Sequence, residues 1–166
     1  MSDSLSGKLG DSWNSSKKNN SDNEEFLEMI ENNEFIETAN VFGYYYGTLK
    51  QEVLSKIEEG IDVIVDIDWQ GTRQIEKHLG QDVVKIFILP PSINELESRL
   101  GNRASENKET FVKRMSEARK EISHYDEYDF IVVNDEIEWA FNNVKSILYS
   151  ERLRGFRQIE SKLNLD

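Results

Sequence analysis

Residues 61–68 read Ile-Asp-Val-Ile-Val-Asp-Ile-Asp, and this run narrows the choice of fold more than any other stretch. A nearly continuous apolar run closed by acids has the pattern of a strand buried on both faces. Strands of that kind belong to parallel sheets, which need helical crossovers on either side. The flanks supply them. Gln51–Glu59 has a helical pattern closed by Gly60, and Thr72–Leu79 has one closed by Gly80.

The alternation continues to the C-terminus. Val83–Leu89 is a second apolar run, ended by Pro90-Pro91. Ser92 and Glu95 have capping-box spacing at the head of a helix reaching about Leu100. A polar stretch, 101–108, precedes a charged helix over Glu109–Ile122. Phe130–Val133 is a third strand, ending in Asn134-Asp135, and Ile137–Leu153 a last helix. Strand and helix in turn predict an α/β fold, a parallel sheet flanked by helices with right-handed crossovers. Such sheets bind ligands at the carboxyl ends of their strands, where Asp66 and Asp68 stand.

Upstream the pattern differs. Glu24–Asn32 reads as a short amphipathic helix, and Phe35–Thr48 as short aromatic-rich strands with a turn, punctuated by Gly43 and Gly47. Residues 1–23 are dominated by Ser, Asn, Asp, Gly and Lys and bury too little to offset their ordering entropy, so disorder is expected there. Ser6-Gly7-Lys8 has no strand before it and no spaced glycine, so it is not read as a phosphate loop.

At 166 residues the chain suits one domain. It has no cysteine, which excludes disulfides and thiolate zinc sites and fits a reducing, cytoplasmic setting. No apolar stretch nears the ~20 residues of a membrane helix, and no secretory h-region is seen. A net charge of −12 opposes non-specific nucleic-acid binding but not capture of a small phosphate in a basic pocket.

Four groups of residues could carry chemistry. Glu37 lies beside an aromatic cluster. A buried carboxylate accepts guanine N1–H and N2–H₂ together and rejects adenine, whose N1 is an acceptor; the alternative is an exposed glutamate on a strand edge. Asp66 and Asp68 either orient a substrate or a water-bound Mg²⁺, or cap the helix that follows. Tyr44-Tyr45-Tyr46 offers hydroxyls to a phosphate, or simply packs in a strand. Arg99, Arg103, Lys113 and Arg114, with Arg119 and Lys120, match phosphate oxygens or pair with neighbouring glutamates on solvated helices. His78 and His124 are far apart and predict no metal site.

In their order along the chain these segments resemble a bacterial guanylate kinase. The resemblance rests on Phe35-Ile36-Glu37, Val41-Phe42-Gly43, Tyr45-Tyr46-Gly47-Thr48, Val65-Asp66-Ile67-Asp68-Trp69-Gln70-Gly71, Ile86–Ser92, Arg99-Leu100-Gly101-Asn102-Arg103, Lys113-Arg114-Met115, Ser123-His124-Tyr125 and Ile131–Asp135. It covers about residues 23–166 and implies a nucleoside monophosphate kinase fold, with residues 24–49 in the GMP-binding part and 99–115 in the lid. It implies phosphoryl transfer from ATP, with Mg²⁺, to GMP, and neither nucleic acid nor membrane as partner. By resemblance Glu37 reads guanine, Thr48 contacts it, Tyr46 holds the GMP phosphate and Asp68 lies near the base. Asp66 lies nearer Mg²⁺ and the phosphates; Arg99, Arg103 and Arg114 close on the transferring phosphates; Asn134 lies near adenine.

The family's first strand and phosphate loop have no counterpart: the pattern G-x-x-x-x-G-K-S/T does not occur in the sequence. Impaired turnover is therefore expected, because positioning and charge stabilisation are most of phosphoryl-transfer catalysis. An inactive guanylate-kinase-like binding module and a non-functional gene fragment are the alternatives.

Overall fold

The computed structural model describes residues 13–14, 20–41, 44–102 and 108–162. The chain forms two compact units, Met1–Val83 and Val84–Asp166.

The first unit contains β1 (Trp13–Asn14), α1 (Asn20–Glu31), β2 (Phe35–Val41), β3 (Tyr44–Leu49), α2 (Lys50–Glu58) and α3 (Trp69–Leu79). Its sheet has the order β1-β3-β2 and is antiparallel throughout. Within the stretch expected to be disordered, Trp13 and Asn14 thus pair with Gly47 and Tyr46, and α1 begins at Asn20. Backbone pairing on an open strand edge asks little of side-chain composition, which is why composition did not signal it.

One irregularity matters. Phe35 pairs with Leu49, but Glu37 pairs with Thr48, so β2 carries a bulge between them. In a regular strand Phe35 and Glu37 would share a face; the extra residue puts them on opposite faces. Phe35 goes to the side of Phe26 and Tyr45, with ring centroids 4.6 Å from Phe35 to Phe26 and 5.2 Å from Phe26 to Tyr45. Its ring also lies over Gly47, where a Cβ would come within 2.7 Å of it. Ile36, Val53 and Ile75 form the buried centre, with Val65, Ile67, Leu79 and Val83 packed on it.

The run 61–68 is not a strand among the described residues, which corrects the expectation. A strand exists only by pairing, and no described segment lies alongside to complete a ladder. The side chains follow the same division. Val65 and Ile67 pack on the core, while Ile61, Val63 and Ile64 are exposed.

The second unit contains β4 (Ile86–Leu89), α4 (Ile93–Asn102), α5 (Lys108–Ile122), β5 (Phe130–Val133), α6 (Ile137–Arg152) and α7 (Gly155–Lys162). β4 and β5 are parallel, with Ile86 beside Phe130 and Leu89 beside Val133. β4 is shorter than the apolar run Val83–Leu89, because pairing with β5 starts only at Ile86. Phe87 and Val132 are buried, and Phe87 meets Tyr128 edge-on at 4.8 Å. Ser92 Oγ caps α4 by accepting from the Glu95 amide at 3.1 Å. The Glu95 carboxylate turns instead to Arg99 Nε at 2.7 Å, so only half of the capping box forms. An added charge outweighs a neutral amide as partner. α7 was not foreseen; buried Glu151 at the end of α6 meets Arg154 Nε at 2.8 Å and helps hold it.

Candidate active site

The bulge in β2 sets Glu37 opposite Thr48 rather than opposite Gly47. Thr48 Oγ1 donates to Glu37 Oε1 at 2.6 Å, a short charge-assisted bond. Glu37 is only 4% exposed, and its other oxygen, Oε2, is buried without a hydrogen-bond partner. A buried acceptor left unpaired costs free energy, so its retention calls for an explanation in function. Burial, first of all, pushes the Glu37 carboxyl above its ordinary value of 4.5; the Thr48 hydrogen bond opposes this, and the charge of Asp68 adds to it. Pairing also places Tyr46 beside Ala39 on the same face as Thr48 and Glu37.

The N-terminus of α3 closes the site from another side. Asp68 is its N-cap, Oδ1 accepting from the Gln70 amide at 3.0 Å and the Gly71 amide at 2.9 Å. Of the two readings of Asp68 the structure shows the helix cap, and the capping carboxylate is also a charge that Glu37 feels. Gly71 lies against Glu37: a Cβ there would stand 3.1 Å from Oε2 and 3.2 Å from Ile67 Cβ. Further along α3, Gln74 brackets Thr38, accepting from its amide at 3.0 Å and donating to its carbonyl at 2.9 Å. Gln74 was not singled out in the sequence, where nothing separates it from an ordinary helix glutamine, and Gly71 entered only as the last residue of the Val65–Gly71 motif, with no role of its own. A cavity of about 180 Å³ adjoins these residues, lined among others by Phe35, Glu37, Thr38, Gln74, Lys77 and His78.

Asp66 is exposed at the end of the apolar run. In the second unit Arg99 and Asn134 meet: Arg99 Nη1 donates to the Asn134 carbonyl at 2.9 Å, at the carboxyl end of β5. Arg114 lies half-buried on α5. Arg103 lies outside the described residues. Arg119 pairs with Glu97 at 3.7 Å, so part of the basic cluster is a solvated ion-pair surface. Among the described residues no group of three or more His, Cys, Asp or Glu side chains is placed to hold a metal, and no helix is long and apolar enough to cross a membrane.

The family model described as guanylate kinase matches residues 20–151. The chain is 48% identical over 134 residues to a guanylate kinase of Novosphingobium aromaticivorans, covering 81% of this chain and 61% of that one. It is 49% identical over 135 residues to a guanylate kinase of Vibrio parahaemolyticus, covering 81% and 65%. The crystal structure of guanylate kinase from Anaplasma phagocytophilum superposes with a TM-score of 0.67 at 32% identity, over 92% of this chain and 80% of that one. The chain thus spans 61–65% of the length of these two curated relatives. Matched over most of its residues, with a mixed α/β fold like that of a solved member, the chain belongs to the guanylate kinase family.

Proposed function

We propose that the β2–β3 face binds GMP as the acceptor of a phosphoryl group from MgATP, giving GDP and ADP. The observation that carries this reading is the buried carboxylate of Glu37, with Oε1 anchored by Thr48 and Oε2 unpaired. Guanine supplies the missing donors. Its N1–H and N2–H₂ lie side by side, matching two carboxylate oxygens in one plane. Thr48 spends its proton on Glu37 and keeps lone pairs for a base amino group. Adenine would set its N1 lone pair against Oε2 and leave the carboxylate unpaired, an error worth ~10⁴-fold in a site of this type.

The remaining roles follow family resemblance. Tyr46 holds the GMP phosphate, and Asp68 stands near the base while capping α3. Arg99, Arg103 and Arg114 stabilise charge on the transferring phosphoryl group. Asn134 faces adenine. The donor would be ATP carrying Mg²⁺, and Asp66 would meet that ion through water. The nucleophile is a GMP phosphate oxygen, so the chain's own work is to align it and to offset charge.

Residues 1–166 contain no G-x-x-x-x-G-K-S/T cradle for the donor triphosphate, so base reading exceeds turnover in this polypeptide. Calorimetric titration with GMP tests the core of the reading. Saturable binding that is lost in Glu37→Ala is expected; binding unchanged by that substitution refutes it. A coupled ADP-release assay tests the second part, and turnover within about tenfold of the ~1–100 s⁻¹ usual for kinases would contradict it.

A further inference from the structure

We propose that Gln74 is a positioning residue for base recognition: its amide holds the outer edge of β2 so that the Glu37 carboxylate meets guanine in register. This rests on the GMP reading above. Among the described residues β2 is an edge strand, with β3 on one side only. Along an edge, backbone groups face outward without a ladder partner. Thr38 pairs with Gly47 across the hairpin, yet its N–H and C=O are both turned to Gln74, at 3.0 and 2.9 Å. A primary amide carries a donor and an acceptor side by side, so one side chain takes the place of a neighbouring strand at this residue.

The position of the clamp gives it consequence. Thr38 directly follows Glu37, and the bulge lies just before, between Phe35 and Glu37. Bulged backbone has lost regular pairing and can adjust more readily than the rest of the strand. The site needs the opposite, because Oε2 is held open beside Gly71, where a Cβ would already be 3.1 Å away. Thr48 fixes one carboxylate oxygen through a side chain, whereas Gln74 fixes the backbone that carries it. Gln74 is itself placed by α3, whose start is capped by Asp68. One helix therefore supplies both the close wall at Gly71 and the clamp one turn later.

The experiment uses the full chain with GMP and with IMP, which lacks the 2-amino group, in parallel calorimetric titrations of the parent, Glu37→Gln, Gln74→Glu and Gln74→Ala. Gln74→Glu keeps size and the acceptor for the Thr38 amide but sets a carboxylate against the Thr38 carbonyl. Losing one charge-assisted contact to the base predicts GMP binding weakened about tenfold or more in both Gln74 variants, with IMP affected less, so that the GMP preference shrinks. NMR titration of the Glu37 carboxyl in Gln74→Ala, which adds no charge, supplies a readout that a merely structural role would not move: its pKa shifts while the thermal melt stays cooperative. If Glu37→Gln abolishes GMP binding but both Gln74 variants keep affinity and GMP preference within twofold and Gln74→Ala leaves the Glu37 titration unmoved, the role of Gln74 is refuted and the GMP reading stands. If the parent does not bind GMP, both fall. If Gln74→Ala unfolds, Gln74→Met, uncharged and close to glutamine in size, decides by the same criteria.

Discussion

Glu37 is an acid whose carboxyl is raised above 4.5, chiefly by burial. A raised acid keeps its proton in the folded state over a pH window where the unfolded chain has already lost it. The folded state then binds more protons, so stability falls as pH rises from 4.5 through the raised value. Gln at this position is neutral at every pH. Glu37→Gln should therefore gain stability relative to the parent across that window and show a constant difference below it. Thermal melts of both proteins over a pH series check this, and a difference that shrinks with rising pH contradicts it. GMP affinity has the opposite demand, since only the carboxylate accepts from guanine; affinity should fall on acidification at a pH above the ordinary glutamate range. Gly71→Ala is the second residue-scale prediction. Alanine is worth up to about 1 kcal/mol over glycine inside a helix, but crowding a packed site costs about 1–3 kcal/mol. With Glu37 Oε2 at 3.1 Å and Ile67 Cβ at 3.2 Å, crowding wins. Both the melting midpoint and GMP affinity should drop.

At the scale of elements, α3 is organised from its first turn. Asp68→Ala removes the cap that serves the Gln70 and Gly71 amides and should destabilise by about 0.5–2 kcal/mol in denaturant titration. Asp68→Asn keeps an oxygen for those amides and removes the charge, so stability should change little while the Glu37 carboxyl titrates at lower pH. A loss of GMP binding in Asp68→Asn at intact stability would assign Asp68 to the ligand as well as to the helix. The second unit has its own anchored end. The Asn134 carbonyl, just past β5, receives Arg99 Nη1, and the same guanidinium holds Glu95, which ties α4 to the strand terminus.

For the whole molecule, charge and apolar exposure pull in opposite directions. A net charge of −12 keeps copies apart. Ile64, Ile131, Ile137, Trp139 and Leu153 are nevertheless large, apolar and between 48% and 74% exposed, and apolar surface of this kind promotes association. Raising salt from about 0.01 M to about 1 M shortens screening from ~30 Å to ~3 Å and removes the repulsion. Sedimentation should show a larger fraction of associated species at high salt than at low salt; the same distribution at both would set the prediction aside.

Much of the local structure was legible in the residues themselves. The helices over α2, α5 and α6 and the strand Phe130–Val133 follow periodicity and punctuation by glycine and proline, which act within a few residues of the chain. The order of motifs carried the family. What the sequence could not decide was pairing. Whether 61–68 becomes a strand depends on a neighbour elsewhere, and its own apolar pattern cannot supply one. The bulge that moves Glu37 from Gly47 to Thr48 is likewise a one-residue choice of register between two segments. Gln74 meets Thr38 across 36 residues. These contacts form the candidate site, and they belong to the folded chain because they join residues that sequence keeps apart.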